Sequence, residues 1–145
     1  MNTIIIGKES LLTKYLYQNN KSAIIFSARD HLKIPDIAKF INRKKDVNLI
    51  LNNFYPSSLI NNITSKDYEK FYNQSILFNA KLFTKLNGKN INKIIYSSSS
   101  SVYNSIQKDY QYVDSNNKNL YSSTKIAVEN LIYNFSSNNN IPFLI

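Results

Sequence analysis

Thr3-Ile4-Ile5-Ile6-Gly7-Lys8-Glu9-Ser10-Leu11-Leu12-Thr13-Lys14-Tyr15-Leu16 is the stretch that decides the architecture. Thr3 to Ile6 is β-branched throughout, the composition of a strand covered on both faces of a parallel sheet. Gly7 follows at once, and Leu11, Leu12, Tyr15 and Leu16 recur at helical spacing, so a strand runs through a short turn into a helix with an inward apolar stripe. Asn19-Asn20 ends that helix, and Ala23 to Phe26 is a second apolar run.

The alternation continues along the chain. A short helix is predicted from Asp36, with Ile37, Phe40 and Ile41 on one face, and Val47 to Leu51 reads as a strand ending at Asn52-Asn53. A longer helix follows, with Ser65 as N-cap and Asp67 and Glu69 in the first turn, where carboxylates suit the helix dipole. Its stripe is Tyr68, Phe71, Tyr72, Ile76, Leu82, Phe83 and Leu86, and Gly88 is placed to stop it. Ile91 to Tyr96 is a strand running into five serines, Ser97 to Ser101, and then a polar loop over about 104–120. The last helix is predicted from Tyr121 to Phe135, and Ile141 to Ile145 begins one more strand.

Strands that are near-continuous apolar runs, alternating with helices, predict one α/β domain over 1–145: a Rossmann-type, doubly wound parallel sheet with helices on both faces. Such sheets bind ligands beyond the carboxyl ends of their strands. The places to look are therefore the residues after Ile6, Phe26, Leu51 and Tyr96.

Composition narrows the function. Hydrophobic residues make up 43% of the 145 and charged residues 19%, which excludes a disordered chain and a coiled coil. No apolar run is long enough for a membrane span, and the N-terminus lacks the pattern of a secretory signal, so a cytoplasmic protein is expected. The absence of cysteine removes thiolate chemistry, and the single histidine, His31, argues against a metal centre and a Ser-His-Asp triad. The formal charge is +9, yet the lysines are scattered and the longest basic cluster is Arg43-Lys44-Lys45. No nucleic-acid module signature accompanies them, so no nucleic-acid partner is expected.

Two elements carry chemistry. Tyr121 and Lys125 are four apart and project from one helix face. A lysine ammonium close to a phenol favours the phenolate, which makes Tyr121 a candidate acid/base. A serine from the preceding strand end, Ser99, would orient the substrate oxygen. On residues alone the same features also read as a surface tyrosine beside a solvated lysine and as a polar serine turn.

Ile94-Ile95-Tyr96-Ser97-Ser98-Ser99-Ser100-Ser101-Val102-Tyr103, followed by Tyr121-Ser122-Ser123-Thr124-Lys125 and Glu129, resembles the extended short-chain dehydrogenase/reductase family. It is similar specifically to the NAD(P)-dependent sugar-nucleotide epimerases, dehydratases and reductases. Ser75 to Phe83 resembles a family helix that opens with Asn and contains Gly, and Asp46 to Phe54 resembles a strand ending in Asn-Ala-Ala. The resemblance implies Ser99, Tyr121 and Lys125 as catalytic residues. It implies Gly7, Ser10, Leu12, Arg29, Asn53 and Lys125 as cofactor-binding residues, NAD or NADP as cofactor and a nucleotide sugar as substrate. It also implies a homodimer through the helices near 66–86 and 121–135.

The departures are as informative. In the family's Gly-x-x-Gly-x-x-Gly turn the glycines let backbone approach a pyrophosphate and let helix pack on strand. Here those positions are Gly7, Ser10 and Thr13, and Thr13 is expected to push the helix off the strand. Ser27 and Arg29 at the second strand's tip lean towards NADP, because arginine accommodates a 2′-phosphate. Arg29 also reads as an ordinary exposed arginine. Phe54 stands where the family has a small residue. The chain corresponds to about half of such an enzyme, ending near the sixth strand. A truncated or degenerate non-catalytic member, or one half of a split enzyme, is therefore the alternative expectation.

Overall fold

Strands β1 (Asn2–Ile6), β2 (Ile24–Phe26), β3 (Val47–Leu51), β4 (Ile91–Tyr96) and β5 (Phe143–Leu144) form one sheet in the order β2-β1-β3-β4-β5. Every pairing is parallel. The computed structural model describes residues 2–53, 64–103 and 120–145. Phe54 and the polar segment over 104–119 lie outside the described residues.

The connecting helices are α1 (Leu11–Asn19), α2 (Ile34–Asn42), α3 (Tyr68–Phe71), α4 (Phe78–Phe83) and α5 (Leu120–Asn139), with a π-helical stretch, Tyr72–Leu77, joining α3 to α4. Helices α2, α4 and α5 share one core on one face of the sheet, where α4 touches both α2 and α5, and the right-handed rule for parallel crossovers assigns α1 to the opposite face. The fold is thus the doubly wound α/β arrangement with helices on both faces. The reversal of strand order lies between β1 and β3.

Pleating divides each strand between the two faces. Ile4, Ile6, Leu49, Leu51, Ile94 and Tyr96 enter the core with Ile37 and Ile41 of α2, Phe78 and Leu82 of α4, and Val128 and Ile132 of α5. On the other face Ile25, Ile5, Ile50, Ile95 and Leu144 stand in register as one apolar row across all five strands. Ile5 is buried, Ile25, Ile50 and Ile95 are half-buried, and Leu144 is exposed.

Several local expectations change. The stripe of α1 does not close a core: Leu11 is 82% and Tyr15 64% exposed, and the buried residue of the helix is Thr13. With no other described helix on its face, α1 has only the sheet to pack against. Tyr68 and Tyr72 are likewise exposed. The 65–67 turn is opened by Thr64, whose N–H and hydroxyl both donate to Asp67 Oδ2 (3.1 and 2.9 Å), so Ser65 is not the cap. Helix α2 begins two residues before Asp36 because Pro35 suits a first turn and because Asp30 caps the preceding 3-10 turn by accepting from Leu32 N (2.9 Å). Gly88 does not terminate α4. It opens a 3-10 turn and is buried because a Cβ there would strike the side chain of Asn139 at the end of α5. That helix runs four residues past Phe135 and ends before Asn140, which takes the left-handed conformation (φ 55°).

Candidate active site

The end of β1 turns sharply at Gly7, which has φ +119°. A Cβ there would lie 2.6 Å from the main-chain carbon of Asn52 and 2.8 Å from Asn53 N, so only glycine lets β1 and β3 come together at the switch point. Gly7 N and Lys8 N both donate to Phe26 O (2.8 and 3.2 Å), which pins the loop against the tip of β2. Ser10 is the N-cap of α1 but makes no side-chain capping bond, so its hydroxyl does not satisfy the first-turn N–H groups.

Thr13 faces the residue that follows β3. It is fully buried, and its hydroxyl accepts a hydrogen bond from Asn52 Nδ2 (3.2 Å). Asn52 Oδ1 in turn accepts from the hydroxyl of Ser97, the first residue past β4. Its neighbour Asn53, 2% exposed, donates to Gln74 O in the π-helical stretch (3.2 Å), while its Oδ1 has no partner among the described residues.

The serine run meets α5. Lys125 is 3% exposed, and its ammonium donates to the carbonyl oxygen of Ser97. The same Nζ lies 4.8 Å from the ring centroid of Tyr96 and 5.9 Å from that of Tyr121. Burial lowers the lysine pKa from 10.5 to about 8, against an opposing pull from Glu129. Tyr96 is pushed well above the usual phenol range by burial, then by Glu129 and Tyr121. Glu129 is itself fixed to the strand end, since it accepts from the Ser98 hydroxyl. Ser99 Oγ lies 2.9 Å from Ser101 Oγ, and Ser122 Oγ donates to Ser101 Oγ (3.0 Å), so a chain of hydroxyls joins Ser99 to the first turn of α5.

The sequence profile of the NAD dependent epimerase/dehydratase family matches residues 7–145. The chain belongs to that family. No functionally curated protein matches it. Among solved structures it is similar to the UDP-glucuronic acid 4-epimerase of Bacillus cereus, solved with NAD: 16% identity, TM-score 0.72, all of this chain and 54% of that one. The UDP-glucose 4-epimerase of Thermotoga maritima, solved with UDP-glucose, shares 15% identity at TM-score 0.72 over 99% of this chain and 53% of its own. An epimerase of Methanothermobacter thermautotrophicus shares 15% identity at TM-score 0.74, with 98% and 49% covered. At these identities the likeness shows the fold, and the chain spans about half the length of each structure.

In this epimerase/dehydratase-family chain, the residues picked from the sequence fall into three groups. Lys125 and the serines after β4 come together, with Tyr121 one helical turn before Lys125 and half-buried. Gly7 lies against Asn53 at the β1/β3 switch point, Ser10 N donates to Gly7 O, and Leu12 stands in the first turn of α1, 45% exposed. Arg29 stands at the tip of β2, its Nε 4.0 Å from a carboxylate oxygen of Glu9. Reading the sequence missed Asn52, Thr13, Ser98 and Glu9 as contributors. Asn52 had a signal, because it stands first after β3, where the family has its asparagine.

Proposed function

We propose that the chain is the dinucleotide-binding part of an enzyme that moves hydride between a nicotinamide cofactor and a hydroxyl- or keto-bearing carbon of a nucleotide-linked sugar. One observation carries the reading: a buried lysine on α5, one turn after Tyr121, is aimed at the serine-lined end of β4, beside a crevice closed by Gly7. The residues fit a dinucleotide. Gly7 leaves no side chain in the crevice, α1 presents an uncapped N-terminus for a pyrophosphate, and beside it Asn53 holds a buried oxygen with no partner among the described residues.

When bound, the nicotinamide ring supplies the two-electron acceptor. In this reading Tyr121 takes the proton of the substrate hydroxyl, and returns it in the reverse direction. Lys125, charged below about pH 8, lies one helical turn from Tyr121 and would hold the nicotinamide ribose. Ser99 orients the substrate oxygen through its hydroxyl, itself held in the chain to Ser122. Ser10 would offer the hydroxyl that makes no capping bond and Leu12 its main-chain N–H to the pyrophosphate, and Asn53 would line the cofactor side of the crevice. Exposed Tyr68 and Tyr72, on the segment near 66–86, support pairing of two copies through that helix and α5.

Fluorescence titration of the purified chain with NADH and NADPH tests the reading. Saturable binding of either, retained by Tyr121→Phe while that variant loses nucleotide-sugar-dependent formation of reduced cofactor, supports it. A folded chain that binds neither overturns it and leaves a non-catalytic family member.

A further inference from the structure

The tip of β2 carries an acid that does not come from β2. Asp30, the carboxylate nearest in sequence, is committed elsewhere: it accepts from Leu32 N (2.9 Å) and lies 3.7 Å from Lys33 Nζ. Glu9 reaches over from the loop after β1 instead. Ser27 Oγ donates to it, 3.0 Å from Oε1 and 3.3 Å from Oε2, and Arg29 Nε lies 4.0 Å from Oε2. The two hydrogen bonds from Gly7 N and Lys8 N to Phe26 O hold the segment bearing Glu9 against this strand end.

The chemistry of the three groups is directional. Ser27 and Arg29 by themselves offer a hydroxyl donor and a guanidinium, the set that takes a phosphate. With Glu9 between them, both donors already face an anion. A carboxylate in this position accepts from the vicinal hydroxyls of a ribose and repels a phosphate at the 2′ carbon. We propose that Glu9 determines cofactor choice, selecting a dinucleotide with a free ribose 2′-hydroxyl (NAD) over its 2′-phosphorylated counterpart (NADP). The proposal rests on the dinucleotide reading of the crevice above. It reverses the preference that Ser27 and Arg29 alone imply.

The test is a set of titrations with NADH and NADPH on the intact chain, its Glu9→Gln variant, and Glu9→Gln combined with Arg29→Ala. Circular dichroism reports whether each is folded. The unmodified chain is expected to bind NADH at least about tenfold more tightly than NADPH, the scale of one charged-group interaction. Glu9→Gln should weaken NADH and tighten NADPH, so that their ratio falls by about tenfold or more. Adding Arg29→Ala should remove the NADPH gain, because the freed guanidinium is the group that takes the phosphate. Both cofactors binding with a ratio unmoved by Glu9→Gln would overturn the role of Glu9 and leave the dinucleotide site standing. Binding of neither cofactor by the folded chain would overturn the site and the proposal together.

Discussion

The Lys125 ammonium donates to the main-chain carbonyl oxygen of Ser97, so a side chain of α5 reaches the first residue past β4. A buried ammonium is costly unless its donors are met. Here the carbonyl meets one and the faces of Tyr96 and Tyr121 lie within 4.8 and 5.9 Å of the charge. Because the same carbonyl belongs to the residue whose hydroxyl bonds Asn52, the lysine is tied through Ser97 to the end of β3.

The stability of the fold should rise with pH in the mildly alkaline range because of Lys125. Its pKa is 10.5 when unfolded and about 8 in the fold. Below about 8 both states hold the proton and the burial penalty is fully expressed. Between about 8 and 10.5 the unfolded chain binds more protons, so stability increases with pH. Urea denaturation of the natural chain and of Lys125→Met at pH 7, 8.5 and 10 checks this. The stability difference should shift in favour of the natural chain by up to about 3 kcal/mol across that span. Parallel pH profiles would show that the ammonium is not buried as described.

Glu129 opposes that lowering, and it also holds the Ser98 hydroxyl. Glu129→Gln should therefore drop the Lys125 pKa further below about 8, narrowing the range in which the amine is charged. Nuclear magnetic resonance titration of the lysine side-chain signals measures it directly. An unchanged or higher value would mean that the carboxylate does not act on the ammonium.

Gly7→Ala should cost about 2 kcal/mol or more, from the positive φ alone before any clash is counted. The Cβ would meet the backbone of Asn52 and Asn53, which belongs to the end of a central strand and cannot swing aside as a side chain would. Thermal unfolding monitored by circular dichroism should show a clear fall in the midpoint. Gly88→Ala is the informative comparison, because there the obstacle is the side chain of Asn139. Equal losses at the two glycines would contradict the distinction.

The strand runs, the glycine at the first turn and the serine–tyrosine–lysine constellation were all legible in the sequence, because each is a local pattern. β-branched runs mark strands, and a four-residue spacing puts Tyr121 and Lys125 on one side of α5. What was not legible depends on which elements meet. The stripe of α1 looked like core because periodicity reports amphipathicity and not whether a partner covers the face. Thr13 looked like an obstacle because spacing alone does not reveal the Asn52 amide that its hydroxyl accepts from. Glu9 could not be connected to Ser27 and Arg29, since nothing in a linear reading brings the first loop over the second strand.

Thr13 provides the last test, because the departure from the family glycine has become a structural bond. Thr13→Val keeps the shape and removes the hydroxyl, leaving the buried amide of Asn52 without that acceptor, a loss of about 1–3 kcal/mol. Thr13→Gly restores the family residue, yet it should also destabilise, since it gives up the same bond and adds about 0.3 kcal/mol of helix propensity cost. Whether the bond or the side-chain volume matters is decided by a double-mutant cycle with Asn52→Ala. If the hydroxyl acts through Asn52, Thr13→Val should cost at least about 0.5 kcal/mol less in the Asn52→Ala background than in the natural chain. Additive losses would mean that Thr13 fills space under α1 and that the hydrogen bond contributes nothing.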